Sequence, residues 1–420
     1  MEIRTVKNDF LDEEYQVICH PSGLTIYVMP KKNYKSSYAI FGTNYGSVDT
    51  CFAVKGKEKT SVPEGIAHFL EHKLFESEDL DAFERYAKTG ASANAYTSFD
   101  RTCYLFSCSD NFDQSLEILL DFVRHPYLTE ENVKKEQGII GQEIRMYQDN
   151  PDWQVLFNLL RALYHNNPVR IDIAGTIESI AEITPDLLYD CYNTFYNLDN
   201  MVLAVVGNVD AQKVIEIADK ILEKQDKAEI ERYVEDEDDS IVQDYIEEDM
   251  HAQVKKFNLG FKEKVLEKTD LKYNVAMSIA LDIICGKTTA FYADLMEQEL
   301  INAAFGTEYF SGRGFVATIF GGESEKPEEV KNKIIERINQ LRENGIDENE
   351  FEAIRRKKYG NEIKCFNDID TLANGFVSMH FDGYELFDVF DVYRNITKED
   401  VEEMIRTSFN EGKCALSVIK

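Results

Sequence analysis

Pro63-Glu64-Gly65-Ile66-Ala67-His68-Phe69-Leu70-Glu71-His72-Lys73-Leu74-Phe75 is the stretch from which both the fold and the chemistry can be read. Its apolar residues recur at helical spacing. Pro63 suits a first turn, with Ser61 upstream as an N-cap and Glu64 complementing the positive helix end. Winding the helix at about 100° per residue from Ile66 puts Phe69, Leu70, Lys73 and Leu74 within about 80° of the origin. His68, Glu71 and His72 fall on the opposite side, near about 200°, 140° and 240°. One turn apart, the two imidazoles can converge on a single ion, with Glu71 beside them.

That pattern suits metal-assisted hydrolysis. Neutral imidazoles are good Zn²⁺ ligands, and a third protein ligand leaves one position for water. The metal lowers the pKa of water towards neutrality, and an adjacent carboxylate, here Glu71, can take its proton and pass it on. By chance alone, H-x-x-E-H arises in about one such chain in a hundred, so a third ligand has to decide the case. Downstream, Thr129 to Gln148 reads as a helix capped by Thr129 and stopped before Asn150-Pro151. On it, Glu136 and Glu143 stand seven apart, two turns along one face that also carries Ile140 and Tyr147.

Further out, the chain repeats itself. Ile183-Thr184-Pro185-Asp186 opens a helix running to Phe195, followed by an apolar strand from Met201 to Val206. Some 213 positions later, Ile396-Thr397-Lys398-Glu399 opens a helix to Phe409 and then a strand from Cys414 to Ile419. Leu128-Thr129-Glu130-Glu131 and Ile346-Asp347-Glu348-Asn349 form a second such pair. A divergent duplication accounts for both. Within each half, strands such as 23–29 and 102–107 come in groups and helices such as 112–123 are amphipathic, which predicts an α+β fold. The expected organisation is an N-terminal domain over 1–230, an acidic linker over 231–250 and a homologous C-terminal domain over 251–420. The run Glu235-Asp236-Glu237-Asp238-Asp239 has little to bury and marks that linker.

Across all 420 residues, 77 acids against 46 bases give a net charge of −31. That argues against nucleic acid and against an anionic membrane surface; among ligands a basic peptide fits best, and the plainer account is that the acidic charge keeps the protein soluble. There is no signal-peptide pattern and no apolar run of about 18 residues. Eight scattered cysteines, with no C-x-x-C pair, read as reduced thiols, and the cytoplasm is the expected compartment. No G-x-S-x-G elbow is present, and the glycines of Gly312-Arg313-Gly314 and Gly321-Gly322 read as strand ends and turns.

The 63–75 stretch resembles the signature of the inverzincin zinc metallopeptidases, the family of pitrilysin, insulinase and mitochondrial processing peptidase. The resemblance implies two domains, each a largely antiparallel sheet covered by helices, together forming half of a clamshell. It implies one Zn²⁺ per chain held by His68, His72 and Glu143, with Glu71 activating water and Glu136 supporting the ligands. The segment Ala91-Ser92-Ala93-Asn94-Ala95-Tyr96-Thr97 resembles the family's edge strand, which pairs with an extended peptide substrate, and Asn94 is its candidate substrate contact.

The second half departs from the pattern. Family members supply an Arg and, seven residues on, a Tyr to the substrate carbonyl, yet Ala293 to Leu300 contains no Arg. Tyr309 and Arg313 come in the wrong order and spacing, and His251 and His380 stand alone. The resemblance therefore implies a dimer, and the missing pair favours, over a homodimer, a heterodimer with a partner of the same fold that lacks the zinc motif and supplies Arg and Tyr. A barely active zinc-binding scaffold subunit is the other reading.

Overall fold

The computed structural model describes residues 1–266 and 270–420. The strands are β1 (Glu2–Asn8), β2 (Glu13–Cys19), β3 (Thr25–Pro30), β4 (Ser37–Thr43), β5 (Cys51–Val54), β6 (Thr60–Ser61), β7 (Ser92–Thr97), β8 (Thr102–Cys108), β9 (Met201–Gly207), β10 (Ile230–Arg232), β11 (Tyr245–Glu248), β12 (Lys256–Lys262), β13 (Gly306–Gly312), β14 (Phe315–Glu323) and β15 (Cys414–Ile419). In the first half of the chain the helices are α1 (Ile66–Leu74), α2 (Ala82–Thr89), α3 (Phe112–Arg124), α4 (Glu130–Gln148), α5 (Pro151–Leu163), α6 (Ile177–Ala181), α7 (Pro185–Phe195) and α8 (Ala211–Ile221). The second half has α9 (Leu271–Cys285), α10 (Ala290–Glu297), α11 (Pro327–Asn344), α12 (Glu348–Cys365), α13 (Ile369–Asp382), α14 (Asp388–Asn395) and α15 (Lys398–Thr407).

The duplication is written into the sheets. One runs β1-β2-β3-β9-β4-β8-β7 and the other β11-β15-β12-β14-β13. In each, a single parallel pair, β3 with β9 or β11 with β15, is followed by antiparallel neighbours. The α+β expectation therefore holds, with largely antiparallel sheets. A small third sheet, β10-β5-β6, completes the set among the described residues.

The chain forms two compact units that do not follow the halves of the sequence. Unit 1 is 1–144, 172–233 and 363–387; unit 2 is 145–171, 234–362 and 388–420. In unit 1 the all-buried strands β4 and β9 pack against α13, which comes from the second half of the chain. In unit 2 the all-buried β15 packs against α5, which comes from the first. Strands buried along their whole length need cover on both faces, and each unit borrows a helix to supply it. A matched pair of glycines allows the close approach. A Cβ on Gly42 of β4 would stand 3.0 Å from Val377 of α13, and one on Gly260 of β12 would stand 2.7 Å from Leu159 of α5. Both glycines lie opposite the second residue of the neighbouring central strand, Val202 or Ala415.

Two local expectations need revision. Ser61 does not cap α1: it lies in β6, with its hydroxyl against Cys51 Sγ, and α1 begins only at Ile66. Gly65 precedes it at φ 86, where a Cβ would meet the Ala174 carbonyl oxygen at 2.4 Å, so the chain turns here and cannot be helical from Pro63. The acidic stretch 231–250 also carries more structure than a solvated linker. It starts in β10 and ends in β11, and Glu237 accepts backbone N–H bonds from His165, Asn166 and Asn167 at 2.7–2.9 Å. Lys262 Nζ, buried, sits 2.5 Å from the same carboxylate and donates to the Asp238 and Ser240 carbonyls.

Candidate metal centre

α1 is buried on nearly every side, including the side that carries the histidines. Its apolar residues fill the core of unit 1, while His68, Glu71 and His72 face α4 and the end of β7. On α4 the seven-residue spacing does what two turns of one face allow. Glu143 Oε1 lies 3.7 Å from His68 Nε2, and its Oε2 lies 3.5 Å from His72 Nε2. One ligand atom from each of His68, His72 and Glu143 falls within 4.8 Å of the others. Ligands about 2.1 Å from a tetrahedral zinc stand about 3.4 Å apart, so the donor set and its spacing fit that ion.

Glu136, two turns earlier, is buried, and its Oε1 accepts from His72 Nδ1 at 3.1 Å. This leaves Nε2 of that ring as the free ligand atom, the usual division of labour between a metal-binding imidazole and its supporting carboxylate. Burial pushes the Glu136 carboxyl upward, but the bond from His72 and the charge of Lys73 outweigh it and hold the group below its ordinary value. Burial also pulls His72 down, and the bond to Glu136 with the surrounding carboxylates more than reverses this. His68 is lowered to about 4, by burial first and by His72 second, so its ring is neutral near pH 7. Its Nδ1 is buried without a hydrogen-bond partner.

Glu71 is not one of the converging donors. Its Oε2 accepts from Thr97 Oγ1 at 3.1 Å, and Thr97 in turn lies 3.5 Å from the hydroxyl of Thr102 across the β7–β8 turn. Burial raises the Glu71 carboxyl to about 7, against the lowering influence of His72 and Thr97. A carboxyl poised there, in a buried site beside a metal-ligand cluster, is suited to exchange protons with water. Asn94 is exposed on β7, an edge strand of its sheet, and its Oδ1 accepts from the Ala95 N–H at 2.9 Å.

Two participants escaped the sequence reading. Lys73 falls on the apolar stripe by its spacing and is fully buried, but its ammonium lies 2.5 Å from Glu76 and 3.4 Å from Glu136. A lysine on the apolar side of a helix was the available signal. Thr97 stood within the quoted 91–97 run, yet nothing local announces that its hydroxyl meets a glutamate 26 positions earlier.

The profile described as insulinase, peptidase family M16, matches residues 58–177, which contain this cluster. A second, described as the peptidase M16 inactive domain, matches 182–358. A Bacillus subtilis protein named as the uncharacterized zinc protease YmfH is 43% identical over 395 residues, 92% of this chain and 91% of that one. This chain belongs to the M16 peptidase family. A solved structure of an M16-like peptidase from Alicyclobacillus acidocaldarius is 35% identical, with a TM-score of 0.94 and 99% of each chain covered. The beta subunit of the mitochondrial processing peptidase of Caenorhabditis elegans is 33% identical over 162 residues, 37% of this chain and 35% of that one.

The second M16 half gathers no such ligand set among the described residues. Its α9 and α12 stand at the places in the element order that α1 and α4 hold in the first. Ser278 and Asp282, four apart on α9 as His68 and His72 are on α1, face Lys358 of α12. The ammonium lies 2.6 Å from Ser278 Oγ and 3.6 Å from Asp282 Oδ2, and Lys357 holds the same carboxylate at 3.0 Å. In this helix pair the donors surround a cation that belongs to the chain itself. His380 is likewise structural, half-buried against Tyr27 and lowered to about 4 by desolvation, whereas His251 is exposed.

Proposed function

We propose that the chain is a zinc-dependent endopeptidase subunit that cleaves unfolded or short peptides. One observation carries the reading: two imidazole Nε2 atoms and the Glu143 carboxylate converge, while a second carboxyl group, that of Glu71, stands beside them outside the ligand set. His68, His72 and Glu143 would hold Zn²⁺, which supplies Lewis acidity towards a peptide carbonyl and acidifies water. Glu71 takes a proton from the attacking water and delivers it to the departing amine nitrogen. Thr97 fixes the carboxylate for both transfers by donating to Oε2. Glu136 holds the His72 ring through Nδ1. The free edge of β7 offers an extended peptide a strand to pair with, and Asn94 lies on that strand as a substrate contact.

The Arg and Tyr expected to reach the substrate carbonyl have no counterpart between Ala293 and Leu300. We therefore propose a second subunit of the same fold that brings them, with the −31 net charge favouring basic peptides. The scattered cysteines, with no C-x-x-C pair, suit a reducing compartment such as the cytoplasm. The same missing pair, together with the lysine-filled α9–α12 site, favours one other reading, a zinc-binding scaffold subunit without turnover. Glu71→Gln separates the two. With zinc bound and partner present, the peptidase reading expects peptide hydrolysis to fall by about 10² to 10⁴. Equal rates for wild type and variant would sink the peptidase mechanism as written, and the absence of zinc-dependent hydrolysis from both would favour the scaffold.

A further inference from the structure

Lys73 is the charged residue of α1 that the metal chemistry leaves unexplained. Its side chain is wholly removed from solvent. Such burial is costly for an ammonium, and a whole buried ion pair can commonly be exchanged for apolar residues of similar volume at no loss of stability. The helical wheel also places it on the apolar side, where packing alone calls for a residue like Met or Leu. Packing by itself therefore does not account for a lysine here, and its contacts do.

Lys73 Nζ lies 3.4 Å from Glu136 Oε2, while the other oxygen of that carboxylate accepts from His72 Nδ1 at 3.1 Å. On its other side the ammonium lies 2.5 Å from Glu76 Oε2, and Glu76 Oε1 is 3.7 Å from Lys135 Nζ, which is exposed. Charges alternate from Lys135 at the surface, through Glu76, Lys73 and Glu136, to the ring of His72. With both oxygens engaged, the Glu136 carboxylate cannot rotate away from His72. A fixed Nδ1 bond is what sets the tautomer and the plane of a metal-binding imidazole.

We propose that Lys73 is a positioning residue of the metal centre, acting through Glu136 to hold His72 Nε2 on the ligand site. This rests on the metal-site reading above. The test is zinc affinity, measured by chelator competition on the full chain for wild type, Lys73→Met, Glu136→Gln, the double variant and Glu76→Gln. Lys73→Met is expected to bind zinc about 10- to 100-fold more weakly; because it leaves Glu136 without its cation, the metal-free variant is also expected to melt below wild type, while the double variant with Glu136→Gln recovers part of that loss. In the Glu136→Gln background the same substitution is expected to change affinity by less than about twofold, because its route to the metal is gone. Wild-type affinity in Lys73→Met, or an undiminished effect in the Glu136→Gln background, would overturn the proposal and leave the metal site standing. If Lys73→Met does not fold, Glu76→Gln carries the test: a drop of about threefold or more that vanishes with Glu136→Gln supports it, and unchanged affinity overturns it. A wild-type chain that binds no zinc removes the metal-site reading itself, and this one with it.

Discussion

Glu71 joins two opposed demands in one side chain. Burial raises its carboxyl from 4.5 to about 7, so the folded metal-free protein keeps a proton that the unfolded chain releases between those values. Stability must then fall as pH rises through that window, because the native state binds more protons there. Glu71→Gln removes this dependence. In chelator-treated protein the variant is expected to be more stable than wild type at pH 8 by about 3 kcal/mol, and to lose most of that advantage at pH 5. Thermal melts at the two pH values check it, and a gap that does not widen with pH would contradict the assigned burial. At this scale His68, His72, Glu136 and Glu143 were legible as candidates, because helical periodicity alone decides which residues of one helix share a face. Lys73 and Thr97 were not, since their roles depend on partners from other elements.

The elements were read well where periodicity and caps are strong. Thr184 caps α7 and Thr397 caps α15, as the paired Ile-Thr openings led one to expect. The start of α1 was misplaced because the deciding feature is a close approach between Gly65 and Ala174, which no local pattern encodes. Gly65→Ala tests the point. A side chain there faces both a left-handed φ and a carbonyl oxygen at 2.4 Å, and is expected to cost at least about 2 kcal/mol. Urea denaturation measures the loss. Because α1 carries both histidines, zinc affinity should fall with it, whereas Gly90→Ala, also at positive φ but with open space around it, should cost less and spare the metal.

For the whole molecule, unit 2 depends on an ionic clasp that the composition disguised. Lys262 and Glu237 are joined at 2.5 Å, and the carboxylate also caps three backbone N–H groups of 165–167. Burial raises the Glu237 carboxyl, but Lys262 and those N–H groups prevail and hold it low. Lys262→Met strands this carboxylate and two carbonyls, so a loss of about 3 kcal/mol or more is expected, with earlier proteolytic cleavage within 234–244. Zinc affinity, which belongs to unit 1, should not change. Binding of basic peptides should weaken as salt is added if the −31 charge guides them, and salt-independent KM values for basic and neutral peptides would refute that guidance.

By itself the sequence determined the helix that carries the two histidines, the acidic face of the helix that meets it, and the existence of two related halves. Each of these is a matter of spacing along one segment. Only the tertiary structure decided that α1 lies against α4, that Lys73 is clasped between Glu76 and Glu136, and that α5 and α13 each cover a sheet built mainly from the other half. The physical reason is that apolar burial has no direction. A hydrophobic stripe states that a helix must be covered, and only the packed chain states by what.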